Sequence, residues 1–246
     1  MRALLPAHSI CLGLLVFAAA CLDTQSACAQ EDSDIVASIP WADQESADYL
    51  LLDPNDGEVC GEGTLSILRT GDQYELSLRF ESEGNTDVTT VLVDAETLQP
   101  ASVRRERLID GNSEIVEGEY DDVEKVIHIV ELIGDDRREI PRRLDEKRYF
   151  DNETSLFIWR TIRFEEGYET SYETVLANQG GAQRTVRLRV DSIEQITVPA
   201  GTFDAWRVEI VAGEVDQLAW FTQTPEHYLL QYHNSLQIFQ LNSPID

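Results

Sequence analysis

From Ile39 onward the chain alternates apolar and polar residues in the two-residue rhythm of half-buried antiparallel strands. The cleanest run is Gln73 to Ser82. There Tyr74, Leu76, Leu78 and Phe80 point one way, and Gln73, Glu75, Ser77, Arg79 and Glu81 the other. Val186, Leu188 and Val190 repeat the pattern, as do Trp206, Val208 and Ile210, and then Tyr228, Leu230 and Tyr232. Turn residues separate the runs at hairpin spacing. Thr70-Gly71-Asp72, Glu83-Gly84-Asn85 and Asp110-Gly111-Asn112 each supply a residue that tolerates positive φ or closes an Asx turn. Val198-Pro199-Ala200-Gly201 puts Pro at the second position of a turn and Gly at the fourth. The pattern predicts a mainly β protein, with about 11–12 strands in one meander. So many antiparallel strands must curl or close, because a flat sheet leaves its edges open. A curved antiparallel sheet, or incomplete β-barrel, is the expected architecture.

One segment breaks the rhythm. Asp151 to Phe164 opens on Asp151-Asn152, good N-cap residues, with Glu153 where a first turn favours negative charge. Leu156, Trp159, Arg160 and Arg163 follow at helical spacing, and Gly167 stops the run. This reads as one amphipathic helix laid as a lid over the curled sheet. Leu156, Phe157 and Trp159 are then the candidate ligand-facing residues.

Charge sharpens the picture. Lys+Arg number 19 against 46 Asp+Glu, a formal net of −27. A field of that sign repels nucleic acid and anionic headgroups, so neither is expected as a partner. Apolar residues at 42% are still enough for a sizeable core.

The N-terminus predicts export. Arg2 precedes an apolar run from Ile10 to Ala20, broken only by Gly13. That run is too short to span a bilayer, which needs roughly 20 residues, and suits a signal peptide. Ala18-Ala19-Ala20-Cys21 resembles the lipobox of bacterial lipoproteins, making Cys21 the candidate lipid attachment site. Ala27-Cys28-Ala29 offers a rival cut that would leave Gln30 at the N-terminus. The organisation expected is a signal peptide over 1–21, an acidic flexible tether over 22–38 and a single half-barrel domain over 39–246. Cys28 and Cys60 can pair as a disulfide in an oxidising compartment, or stay as two thiols.

Catalytic chemistry finds little footing. His128 lies inside an apolar run, and His227 and His233 sit at opposite ends of another, roughly 20 Å apart at strand rise, too far to share a metal. No G-x-S-x-G elbow or Gly-rich phosphate cradle occurs. No enzyme activity, metal or cofactor is expected.

The C-terminal half carries a family pattern. Val198-Pro199-Ala200-Gly201-Thr202-Phe203-Asp204, then Ala219-Trp220-Phe221 and Tyr228-Leu229-Leu230-Gln231-Tyr232, resembles a group of bacterial cell-envelope proteins of unassigned function. Val93 to Pro100 and Ile39-Pro40-Trp41 match turns of the same group. Its members resemble the lipoprotein carrier and receptor (LolA/LolB-like) fold, an incomplete barrel with helices over its mouth. The resemblance implies an envelope location and a lipid or other apolar ligand, and it supplies no catalytic residue. Two readings stand: an envelope protein that binds an apolar ligand in its half-barrel, or a structural and interaction module whose barrel is filled by its own side chains.

Overall fold

The computed structural model describes residues 35–145, 147–213 and 215–243. Eight hairpin-linked strands come first: β1 (Gln44–Leu52), β2 (Val59–Thr70), β3 (Gln73–Ser82), β4 (Asn85–Asp94), β5 (Pro100–Ile109), β6 (Asn112–Asp121), β7 (Val126–Ile133) and β8 (Asp136–Arg143). The short β9 (Tyr149–Asp151) leads into α1 (Ser155–Ile158), which is flanked by 3-10 turns at Asn152–Thr154 and Trp159–Thr161. Then follow β10 (Glu169–Leu176), β11 (Ala182–Val198), β12 (Gly201–Ala212), β13 (Val215–Thr222), β14 (Leu229–His233) and β15 (Ile238–Leu241).

All fifteen strands belong to one sheet, ordered β8 down to β1, then β15 down to β9. Chain neighbours are sheet neighbours within β1–β8 and within β9–β15, and β1 joins β15 to link the two arms, with Tyr49 opposite Leu241. Only β9 pairs in parallel, with β10. The sheet is curved and open, since β8 and β9 do not pair. Its alternation matches the sequence pattern: Tyr74, Leu76 and Leu78 of β3 are buried, and so are Val186, Leu188 and Val190 of β11.

The count of fifteen corrects the expected 11–12. The extra strands are those the apolar rhythm cannot reveal. β9 and β15 are short, and β8 is nearly all charge (Asp136 to Arg143, with Pro141) and almost wholly exposed. A free edge bearing arginines and a proline resists pairing with another chain. The seam beside it is drawn together by side chains. Arg142 Nε donates to the Gly180 carbonyl at 3.0 Å, and the Asp145 amide donates to Gln183 Oε1 at 2.9 Å. Gly181, at φ +73°, lets this approach happen: a Cβ there would stand 2.9 Å from Arg142 and 3.1 Å from Ile127.

Packing also begins earlier than expected. Ile35 is buried, and the Ala37 amide donates to the Thr161 carbonyl at 2.9 Å, so residues 35–38 belong to the domain and not to a tether.

Gly201 pairs with Val198 across the Pro199-Ala200 turn and sits at φ +143°, which L side chains rarely adopt, although a Cβ there would make only ordinary contact with the Phe203 ring at 3.4 Å. Gly201→Val should therefore cost on the order of 1 kcal/mol or more. A thermal melt should show a clearly lowered midpoint, and an unchanged one would mean the turn relaxes freely.

Candidate functional site

The segment expected to be a lid is a plug. From Tyr149 to Ile162 every residue except Ser155 is buried, and the stretch touches β4 and β5 on one side and β10 on the other. It therefore lies between the two arms of the sheet. The predicted amphipathic helix over Asp151–Phe164 is corrected to a four-residue α-helix between two 3-10 turns. The amphipathic spacing predicts one solvated face, whereas here almost every side of the segment is enclosed. Asp151 does cap the first turn as its position suggests, its Oδ1 accepting from the Glu153 amide at 2.8 Å. Phe157 and Ile158 are almost completely enclosed. Each is worth about 1.5–3 kcal/mol of apolar burial.

Polar groups fix the plug at its entry. Tyr120 of β6 donates to Asp151 Oδ2 at 2.5 Å. Glu153 accepts from Arg105 Nη1 at 3.1 Å, and Arg105 clamps Asp87 with two further bonds of 2.8 and 2.6 Å. Arg107 continues the network, 3.6 Å from Asp87 and 3.0 Å from Glu114. Burial opposes the charge on Arg105, but Glu153 and Asp87 outweigh it and hold its pKa above the usual value. Burial, reinforced by the Glu153 charge, pushes the Asp151 carboxyl up to about 7.

The exit is pinned as firmly. Arg160 donates to both carboxylate oxygens of Glu45 in β1, at 2.5 and 3.1 Å, and to the Glu226 carbonyl at 2.9 Å. Its guanidinium lies over Trp41 and Tyr228. Midway, Trp159 Nε1 donates to the Tyr172 hydroxyl at 3.0 Å, which donates in turn to Ser155.

What remains inside is a cavity of about 70 Å³ between plug and sheet. Leu78, Leu156, Trp159 and Phe239 give it apolar walls, and Glu153 and Gln217 line it with polar groups. Asn152, also on this lining, is buried with its amide nitrogen unpartnered. Of the three residues expected to face a ligand, Leu156 and Trp159 reach the cavity. Phe157 does not: it packs edge-on against Trp41, ring centres 6.5 Å apart. Cys60 is disulfide-bonded. Cys21, the expected lipid site, and Cys28, the expected partner of Cys60, lie outside the described residues.

Sequence reading missed Asp87, Arg105 and Tyr120. The signal was present in strand parity. Arg105 shares its face of β5 with buried Val103, and Asp87 shares its face of β4 with buried Val91 and Val93. A charged residue at an inward position announces a buried partner. Among the described residues, no group of three or more His, Cys, Asp or Glu side chains is arranged to hold a metal ion.

Arg105→Met should leave the buried Glu153 carboxylate unpaired and Asp87 with Arg107 alone, 3.6 Å away, and breaking such a buried pair costs roughly 3–5 kcal/mol. Chemical denaturation should show that loss, and a variant within about 1 kcal/mol of wild type would mean the network is solvated.

Comparison with known proteins agrees with this architecture. A crystal structure described as a β-barrel-like protein of domain of unknown function DUF1849 from Brucella abortus superposes with a TM-score of 0.51. The alignment covers 82% of this chain and 97% of that one, at 10% identity, so the likeness concerns the fold alone. No curated protein matches the chain. The family described as a protein of unknown function, DUF3108, matches residues 50–235. That match takes in every strand from the end of β1 to β14, and with it both arms of the sheet and the plug between them, so the chain belongs to the DUF3108 family.

Proposed function

We propose that the chain is an exported, lipid-anchored module of the bacterial cell envelope, a barrel-like interaction scaffold closed around its own plug and without a catalytic role. The observation that carries this reading is the filled interior. Water takes a share of roughly 30 Å³ in the liquid, and a cavity of about 150 Å³ is what benzene needs. At about 70 Å³ the space left beside Leu156 and Trp159 holds a couple of waters and no acyl chain. The lipoprotein carrier type would add helices over an open mouth, whereas the α-helix here is four residues long and buried inside. Export rests on Arg2, the apolar run Ile10–Ala20 and the lipobox-like Ala18-Ala19-Ala20-Cys21, and a disulfide at Cys60 fits an oxidising compartment. With a net charge of −27, the domain is repelled by anionic headgroups, so the anchor supplies the membrane contact.

A second reading, binding of a lipid or other apolar ligand, is favoured by the apolar walls that Leu78, Leu156, Trp159 and Phe239 give the cavity. It requires the plug to yield. Native mass spectrometry of protein purified without detergent separates the two. The scaffold reading expects no co-purifying lipid, and an apolar fluorescent probe bound no better than by an unrelated acidic protein; lipid held one-to-one would overturn it in favour of the second.

The anchor is tested separately. Intact native protein should carry acyl chains on Cys21, and Cys21→Ser should release it from membranes. An unmodified N-terminus at Gln30 would end the anchored form of the proposal.

A further inference from the structure

The plug's entry is more than a packing contact. Its apolar residues alone would fill the interior, yet the segment is tied down by carboxylates taken out of water, and buried ion pairs add little net stability over apolar packing. Such groups are best explained where a contact must be specific or reversible. The plug is also irregular, a run of 3-10, α and 3-10 turns, and it starts at β9, the three-residue strand at the sheet's open seam. Asn152, between the two carboxylates, keeps its buried amide nitrogen without a partner. This corner of the plug is the least satisfied part of an otherwise well-bonded segment.

We propose that Asp151, with Tyr120 and the Glu153–Arg105–Asp87 network, forms a protonation-dependent latch that holds the plug in place when Asp151 is protonated and loosens when it ionises. Complete burial makes ionisation of Asp151 unfavourable and the Glu153 charge adds to it, while the bonds from Tyr120 and the Glu153 amide and the charge of Arg105 offset only part of that. Glu153 lies two residues along the same segment, next to the Asp87 carboxylate of β4. Tyr120 of β6 is itself buried and stacked on Tyr149, whose hydroxyl is turned to Asp122, with Lys125 bonded to that Asp122 and over the same ring. On β10, Thr174 and Val175, opposite Phe150 and Asp151, carry no charge, and Glu173, opposite Tyr149, is engaged by Thr185 and lies 3.5 Å from Lys147. Arg105 is the cation that acts on Asp151, and it is already divided between Asp87 and Glu153, with Arg107 and Glu114 further along the same network.

The direction follows from linkage. In the folded chain the Asp151 carboxyl sits at about 7, against 3.8 when solvated. Between these values the folded form holds a proton that the opened form has lost, so a rise in pH favours opening. The stabilisation is complete below the solvated pKa, falls as pH rises towards about 7, and is gone above it. Loosening would free the wall that Leu156 and Trp159 give the cavity, under either reading of the protein's function.

Hydrogen exchange on the full chain, corrected for the intrinsic pH dependence of exchange, tests the latch. Opening of Tyr149–Ile162 should increase at least about tenfold between pH 5.5 and 8.5, while amides of β3 and β4 stay within about twofold. Asp151→Asn keeps the cap through its side-chain oxygen and removes the titration, so its plug opening should be flat with pH. Tyr120→Phe keeps the carboxyl and removes a hydrogen bond that favours the ionised form, so its transition should move to higher pH. That variant decides the matter if Asp151→Asn does not fold. Flat opening in the wild type, a pH response retained by Asp151→Asn, a Tyr120→Phe midpoint that does not rise, or plug and sheet opening together would each overturn the proposal.

Discussion

A single sheet of fifteen strands that curls almost onto itself leaves a concave apolar side, and that side has to be filled. Here the chain fills it from within, using the stretch between β9 and β10. Most other features of the molecule follow from that occupancy. Trp41, Phe150, Phe157 and Trp159 find ring partners because the plug brings aromatic residues from distant strands into one core. The two arms, each a local meander, are joined at β1 and β15 along one line and held across the open seam by plug and side chains. Removing the plug would expose an interior far larger than an isolated cavity, at a cost of several apolar side chains.

The polar anchors add direction to the plug's apolar packing. Arg105, itself clamped by Asp87, bonds Glu153 at the entry, and Arg160 clamps Glu45 at the exit, and these bonds fit one position only. Both arginines are buried, and each joins the plug to a strand remote in sequence, β5 through Arg105 and β1 through Arg160. The entry anchor includes a carboxyl whose ionisation lies near neutrality; the exit anchor is a plain bidentate pair under two aromatic rings. The two ends therefore differ in how they respond to solution conditions.

Outside, the protein is built against unwanted association. The exposed edge strand β8 presents arginines and Pro141 in place of a bare apolar ladder, and the surface at large is strongly acidic. The fold itself, shared at 10% identity with a barrel-like protein of another family of unknown function, does not specify a ligand.

What the sequence determined was whatever depends on near neighbours. Alternation along a strand places side chains on opposite faces with no help from the rest of the chain, so β3 and β11 were legible residue by residue. The turns, the Asp151 cap and the curl of so long a meander were legible for the same reason. The strands it hid were the short β9 and β15, and β8, where exposure on both faces removes the apolar rhythm. Whether Asp151–Phe164 covers the sheet or enters it was decided only by tertiary structure. Leu156, Trp159 and Arg160 carry the same helical spacing in either case, and burial of every face is a property of the walls around them. The pairing of Arg105 with Glu153, 48 residues apart, likewise depends on how the two arms close, because local pattern can mark an inward charge but cannot name the partner that meets it.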